Sequence, residues 1–453
     1  MNKKILALGA IALSLVSCNL DERLNDSLST QQANSANLLT PSQTLAYTYS
    51  LLEAPGSPWS IWTLNEDSSD EAAKPTRGSD WYDGGKWQQL HLHTWTASNP
   101  QVTGSYNDIN KGIAYATQVL GFSNATASEK AQATFLQVYF LWLMTDHFGQ
   151  TILREPNETD AVPSIYLTRS EAIDYEIAKL EAVVANLPAY TPSKAYVASK
   201  NAGYALLAKL YLNKAVYKAT DTDGKPQTVT ASMFQSADMD KVISYANLAM
   251  QGTSFTNIAG NTAGQNYFQN FAPDNGEKST EIIFSKQNTN TVGSAMFQFS
   301  FMTLHYNQSP AGYNGPVTTT DLYNKFTSAD PNDPRLSSTL PYLTTNSGLK
   351  AGILLGQQVN ENGTAIKTRQ GAPLIFTTDF NLLSSNEAQG MRVIKYLPDY
   401  IGVENPTSIA SNDFVFLGLP DVLLMKAEAY ARKGDFATAN TLVNQLRTAR
   451  GAA

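Results

Sequence analysis

The chain has 453 residues and a single cysteine, Cys18. No internal disulfide can form, and a cysteine-rich metal site is excluded. Charge is scarce as well. Asp, Glu, Lys and Arg make up 16% of the residues, where about a quarter is usual, so the surface must be built largely from uncharged polar groups. Basic groups are the scarcer sign: 32 Lys and Arg stand against 39 Asp and Glu, a net charge of −7. That removes the cationic footprint a nucleic-acid binder needs. Beyond residue 17 no run approaches the roughly 18 apolar residues of a membrane-spanning helix. Gly-x-Ser-x-Gly, the phosphate-binding loop and the dinucleotide fingerprint are all missing. What is present is a hydrophobic content of 42%, enough for a sizeable core. The length allows one large domain or up to about three smaller ones.

The N-terminus reads as an address. Lys3 and Lys4 precede an apolar run from Ile5 to Val16, about twelve residues and the length of a signal h-region. The run ends in Leu15-Val-Ser-Cys18, which resembles the bacterial lipobox. Residues 1–17 are therefore expected to be a lipoprotein signal peptide, cut before Cys18, whose sulfur carries the lipid. Each buried CH₂ of an acyl chain contributes ~0.8 kcal/mol, so two or three chains anchor stably. Residues 18–40 are Asn-, Ser- and Gln-rich and read as a tether, with Asp21-Glu22 close behind the cysteine.

Helical signals dominate two stretches. A first helix is expected over 41–53. Thr126-Ala-Ser-Glu129 and Thr168-Arg-Ser-Glu171 fit capping boxes. The first opens a segment apolar nearly all round (Phe135, Leu136, Val138 to Met144) that stops before Gly149, as expected of a core helix. The second opens one with Ile173, Ile177, Leu180, Val184 and Leu187 on one face, ended by Pro188. Residues 205–212 with 238–250, and 421–430 with 434–446, each read as a helix pair. The second resembles a tetratricopeptide repeat, with Gly434-Asp-Phe opening its second helix. Stacked together, these form a short α-solenoid. The stretches 54–104 and 255–415 are Gly-, Pro- and Asn-rich and read as ordered loops with short helices and a few short strands, such as Glu281-Ile-Ile-Phe-Ser285 and Arg392-Val-Ile-Lys-Tyr396. The fold class is thus mainly α: a scaffold of helix pairs, mainly 105–252 and 419–450, with a long loop-rich face, all within one domain over 41–453.

Five of the six tryptophans (Trp59, Trp62, Trp81, Trp87 and Trp95) fall in the first loop stretch, among Asp70, Arg77, Asp80, Tyr82, Asp83, Lys86 and Asn99. Indole faces suit the C–H face of a pyranose, and forked polar groups suit its hydroxyls. Tyr306 and Tyr313 lie in a Gly/Pro-rich turn at 304–316 that could present a second wall. The same residues also suit a packing role. His91 and His93 lie on one face of what reads as an extended segment, but no third ligand follows at a metal-site spacing, so no metal is expected. Oxygens between Asp274 and Glu281 lack the EF-hand pattern. The acids Glu66/Asp67 and Asp70/Glu71 leave a glycoside hydrolase open, because sequence spacing does not show carboxyl separation.

Several segments, kept in order, resemble the SusD/RagB family of Bacteroidetes outer-membrane lipoproteins. They are Ser69-Asp-Glu71 through Pro75-Thr-Arg-Gly-Ser-Asp-Trp-Tyr-Asp-Gly-Gly85, Leu90-His-Leu-His-Thr-Trp95, 131–136 running into His147-Phe-Gly149, 201–213, 312–321 with Phe326 and Asp333-Pro-Arg335, and 419–450. The resemblance implies a surface-exposed, lipid-anchored outer-membrane protein without enzymatic activity or cofactor. Such a protein binds oligosaccharide or polysaccharide and delivers it to a SusC-like TonB-dependent transporter. Carried over by position, it implies ligand contacts from Asp70, Arg77, Trp81, Trp95 and Asn99, with Tyr306 and Tyr313 opposite. A peptide-binding RagB-type member and a repeat-type interaction scaffold remain alternatives. Family members continue past a helix like that at 446–450, so the chain is expected to be truncated at its C-terminus.

Overall fold

Helix starts in this chain are fixed by side chains that satisfy the first free backbone N–H groups. In the computed structural model the Thr126 hydroxyl accepts from the Glu129 N–H at 3.2 Å, while Glu129 accepts from the Thr126 N–H at 2.9 Å. Thr168 and Glu171 repeat the arrangement. The structure describes residues 39–158, 162–221, 224–289, 296–297, 299–400 and 409–452. The signal segment, Cys18 and nearly all of the tether lie outside those residues. Pro41–Ala453 forms one compact unit.

The helices that matter are α1 (Pro41–Ser50), α2 (Ile61–Asp67), α3 (Lys86–His91), α4 (Pro100–Gly121), α5 (Ala127–Phe148), α6 (Arg169–Val183), α7 (Lys200–Lys218), α8 (Ser236–Ala249), α9 (Ala263–Gln269), α10 (Thr320–Ala329), α11 (Pro341–Ser347), α12 (Leu419–Arg432) and α13 (Phe436–Arg450). From α4 to α8 each packs on the next, then α8 on α12 and α12 on α13. This is the solenoid of helix pairs, with α1 laid across α4 and α5. Phe135, Leu136, Phe140, Leu206 and Leu207 are fully buried in its core. Ile173, Ile177, Leu180, Val184 and Leu187 all face inward, as their spacing predicts. The close crossing of α4 and α5 needs Gly112, where a Cβ would stand 2.6 Å from the Phe140 ring.

The strands are short and mostly antiparallel pairs: β1 (Ala72–Ala73) with β5 (Val317–Thr318), β2 (Gln150–Leu153) with β3 (Ile165–Thr168), and β4 (Ile282–Lys286) with β9 (Phe414–Gly418). The three-stranded sheet β8–β7–β6 joins Arg392–Ile394, Ala351–Leu354 and Ser337–Ser338. The ribbon β4–β9 puts Ile283, Phe284 and Leu417 into the helical core and runs directly into α12. A second core, with Phe268, Leu343, Leu374 and Phe376, lies beneath the loop-rich face.

One stretch differs from the sequence expectation. Residues 54–104 are not loop throughout: they hold α2, α3 and the start of α4. Trp62 and Trp87 therefore sit on helices. Six or seven residues span under two turns, too short for a 3.6-residue period to show. His91 closes α3 and His93 has φ +54, so the two histidines do not share an extended segment.

Candidate ligand-binding site

The floor of the site is a buried ion pair. Lys74 is fully buried; its Nζ lies 2.5 Å from Asp67 Oδ2 and 3.0 Å from Thr63 Oγ1. Burial works against both charges, pushing the ammonium down and the carboxyl up, and their contact offsets it. The same ammonium stands 4.7 Å from the Trp87 ring centre and 5.4 Å from that of Trp62. Gln88 Nε2 donates to the carbonyls of Lys74 and Trp81 and to the Thr76 hydroxyl, at 2.9 to 3.0 Å. An α-helical turn and a loop are thereby held in one geometry.

Three indoles nest on this floor. Trp87 is fully buried, Trp81 packs on it with ring centres 5.8 Å apart, and Trp59 lies parallel to Trp81 at 6.3 Å. Each inner indole N–H has an acceptor, Asp83 for Trp87 and the Tyr313 carbonyl for Trp81, both at 2.7 Å. Trp81 is held at φ +64, and a Cβ on Gly315 would stand 2.2 Å from its ring. The turn that carries Tyr313 thus closes over the face of Trp81.

Arg77 is buried and donates to three carbonyls, those of Asn314, Asn386 and Gln389. Desolvation pushes its guanidinium down to about 10. Asn314, at φ +53, donates to the Glu387 carbonyl and accepts from Arg392 at 2.6 Å. Tyr306 donates to Asp80 at 2.5 Å, under the Arg369 guanidinium, which stands 3.8 Å from the Tyr306 ring centre and itself donates to Asp80 at 3.1 Å. Behind them His305 is buried. The Asn307 N–H donates to its Nδ1, so Nε2 carries the proton toward Glu387 at 3.0 Å. Burial lowers the pKa of His305. Burial would raise the Glu387 carboxyl, but the Arg369 N–H and guanidinium, His305 and Gln370 outweigh it and hold it at about 2.

The structure therefore brings together Arg77, Trp81, Tyr306 and Tyr313, and places them in different depths. Arg77 and Trp81 form the support, Tyr306 is half-buried, and Tyr313 is 45% exposed. Asn99 is buried as the cap of α4, accepting from the Gln101 N–H and donating to Gln89 and the Lys86 carbonyl. Trp95 is 41% exposed, set edge-on to His93, and Asp70 is exposed. No hydrogen bond or ring contact among the described residues joins those two to the central group. Trp59 at 39% and Tyr82 at 59% add exposed rings. Both stand in the tryptophan-rich stretch. Arg369 lies 289 residues from Asp80, in a Thr- and Gly-rich segment with no local signal. Among the described residues no three His, Cys, Asp or Glu side chains converge as around a metal. Asp274 is paired with Lys278 and Glu281 with Arg450.

Residues 251–452 match the SusD family. Solved structures share the fold over most of the chain. A SusD-like protein of Bacteroides fragilis is 18% identical, with a TM-score of 0.63 over 91% of this chain and 79% of its own. A laminarin-binding SusD-like protein is 17% identical, with a TM-score of 0.62 over 91% and 84%. Surface glycan-binding protein A of Bacteroides uniformis is 17% identical, with a TM-score of 0.62 over 91% and 80%. No curated protein sequence matches.

Proposed function

We propose, from the premise that the chain belongs to the SusD/RagB family, that it captures glycan at the cell surface and delivers it to a SusC-like TonB-dependent transporter in the outer membrane. One observation carries the reading: Trp59, Tyr82, Trp95 and Tyr313 keep ring surface in water although buried residues of the same loops hold their backbone in place. Large exposed aromatics cost solubility and are retained where something docks on them. The laminarin-binding and surface glycan-binding relatives support a sugar as the docking partner.

Capture is passive. Ring faces stack on sugar C–H surfaces, and Asp70, Asp80 and Asp83 accept hydroxyl protons. Each contact replaces a similar one with water, so affinity is weak, on the order of micromolar or above. Of the carboxylates that invite a hydrolase reading, one is tied up and one is shifted, and a turnover assay decides between the readings. Asp67 is locked to Lys74, and Glu66 is pushed up to about 7 chiefly by burial, with Glu71 adding to it. No helix among the described residues is long and apolar enough to cross a membrane, so the anchor in this reading is the lipid on Cys18.

Calorimetric titration of a soluble Cys18→Ser chain against laminarin and other neutral glycans tests the proposal. Trp95→Ala with Tyr313→Ala is expected to weaken binding at least about tenfold, with no product accumulating over time. Unchanged affinity in that pair overturns the site, and turnover of the glycan overturns the mechanism.

A further inference from the structure

A second concavity, of about 910 Å³, shares no lining residue with the tryptophan site. It opens where the helical scaffold meets the second core, at the kind of seam that favours small-molecule sites, and its size suits one. Tyr196, just past the 3-10 turn Pro192–Lys194, and Tyr342 of α11 line it with partly exposed rings, and Phe268 of α9 is buried beneath. The floor is polar and already satisfied. Asp413 accepts from the Asn288 N–H at 3.0 Å and the Ser285 hydroxyl at 3.2 Å, and Asp399 from the Ser411 N–H and hydroxyl at 3.0 and 2.6 Å.

The rim is different. The side chains of Asn261, Gln287 and Lys194 and the Tyr196 hydroxyl make no hydrogen bond or ion pair among the described residues, although all line the opening. At the rim Lys278 pairs with Asp274 at 2.5 Å, and Lys194 and Glu277 are also among the lining residues. Both signs of charge reach the rim, while Asp399 and Asp413 below are held by hydrogen bonds from the protein. Side-chain amides both donate and accept, as sugar hydroxyls do, and ring walls give the C–H faces a surface. From this combination we infer that the pocket is a second saccharide site, taking a short neutral oligosaccharide or the end of a longer chain. It stands apart from the exposed aromatic surface and is testable without it.

The test uses the Cys18→Ser chain already carrying Trp95→Ala and Tyr313→Ala, titrated with laminaritetraose, cellotetraose and maltotetraose. At least one tetraose is expected to bind. Adding Tyr196→Ala with Gln287→Ala, or Gln287→Trp alone, should weaken that binding at least about tenfold. Gln287 is exposed, so the indole fills the mouth without disturbing the core, and an unchanged thermal melt verifies folding. The inference is overturned if no tetraose binds at millimolar concentration, if the residual binding ignores the rim changes, or if a tetrapeptide mixture binds there and the tetraoses do not. Failure of the aromatic surface shows separately, as an unchanged affinity between the parent chain and Trp95→Ala with Tyr313→Ala.

Discussion

Among the largest fully buried side chains, those of the helical scaffold include Phe135, Phe140 and Ile109, whereas those of the loop-rich face include Lys74 and Arg392 beside Phe268 and Phe376. The difference follows from the backbone. In α4 to α8 the carbonyls are satisfied along the helix axis, so the interior between helices is free to be apolar. In the loop-rich face the strand ladders are short, and many buried carbonyls need donors from elsewhere. One guanidinium carries five N–H groups in a fixed fork. Arg392 uses them on the carbonyls of Glu387, Gln389 and Gly390 and on Asn314 Oδ1, and Arg77 shares the Gln389 carbonyl and adds those of Asn314 and Asn386.

The sharpest way to break this comparison is to remove one such cation. Arg392→Met keeps much of the volume but strands several buried acceptors. It is expected to destabilise the fold by about 3–5 kcal/mol in urea unfolding. Arg392→Lys should not restore it, because an ammonium cannot span the same acceptors. Phe140→Ala should cost a similar ~3–5 kcal/mol through its cavity, with Phe140→Leu recovering much of that. A cost for Arg392→Met under about 1 kcal/mol would mean the loops are held by something else.

One buried carboxyl from each region should respond to pH in opposite directions. The contrast is between two residues, since Glu66 in the loop-rich stretch shifts the same way as the scaffold's Glu176. Glu176 is buried with Oε1 accepting from Thr145 at 2.6 Å and Oε2 unpartnered. Burial pushes it up to about 8 from an ordinary 4.5. The folded state then holds a proton that the unfolded chain releases, so stability falls as pH rises from about 4.5 toward 8. Glu387 is held at about 2. Its contribution is fully present above about 4.5 and is lost as pH falls toward 2. Glu176→Gln should flatten the alkaline limb of the stability profile, and Glu387→Gln the acid limb. Either variant flattening the other's limb breaks the assignment.

The same contrast governs how much the sequence discloses. Capping boxes at Thr126 and Thr168 and the inward series from Ile173 to Leu187 are local patterns, and the fold class follows from them. Helix α4 has no such box; its start depends on Asn99 followed by Pro100, a cap that also serves as a candidate polar contact. For the candidate site, residue type marks a stretch but not the depth at which each side chain lies. Trp81 and Trp95 look equivalent in sequence, yet one lies between two indoles and the other stands in water. Arg77 resembles a ligand group because its acceptors, more than 230 residues away, are invisible locally. Arg369 contacts Tyr306 and, from as far away in the chain, Asp80, and nothing local signals it.

A glycine in each region separates packing from presentation. Gly112→Ala drives a methyl into Phe140 at the α4–α5 crossing and should cost about 1–3 kcal/mol with little change in tryptophan emission. Gly315→Ala drives one into Trp81. Its loss in stability should fall in the same ~1–3 kcal/mol range, but the indole must shift, so emission and glycan affinity change together. If Gly315→Ala leaves emission untouched, the turn at 304–316 does not set the position of Trp81.

The smallest effects come from helix caps, and here too the regions should differ. Thr126 serves only its own helix, bonding to Glu129, so Thr126→Ala should cost about 1 kcal/mol and speed amide exchange only in the first turn of α5. Thr319 caps α10, accepting from the Leu322 N–H at 3.2 Å, and its hydroxyl also donates to the Asp70 carbonyl. That second bond ties α10 to the loop bearing the exposed acid of the proposed glycan surface. Thr319→Ala should therefore cost more than its scaffold counterpart, toward about 2 kcal/mol, and exchange should quicken both at Leu322 and along β1. Thr319→Ser keeps both bonds and should restore both readouts. Exchange confined to the first turn of α10 would show that caps act alike in the two regions, and that the loops do not depend on side-chain hydroxyls for their mutual alignment.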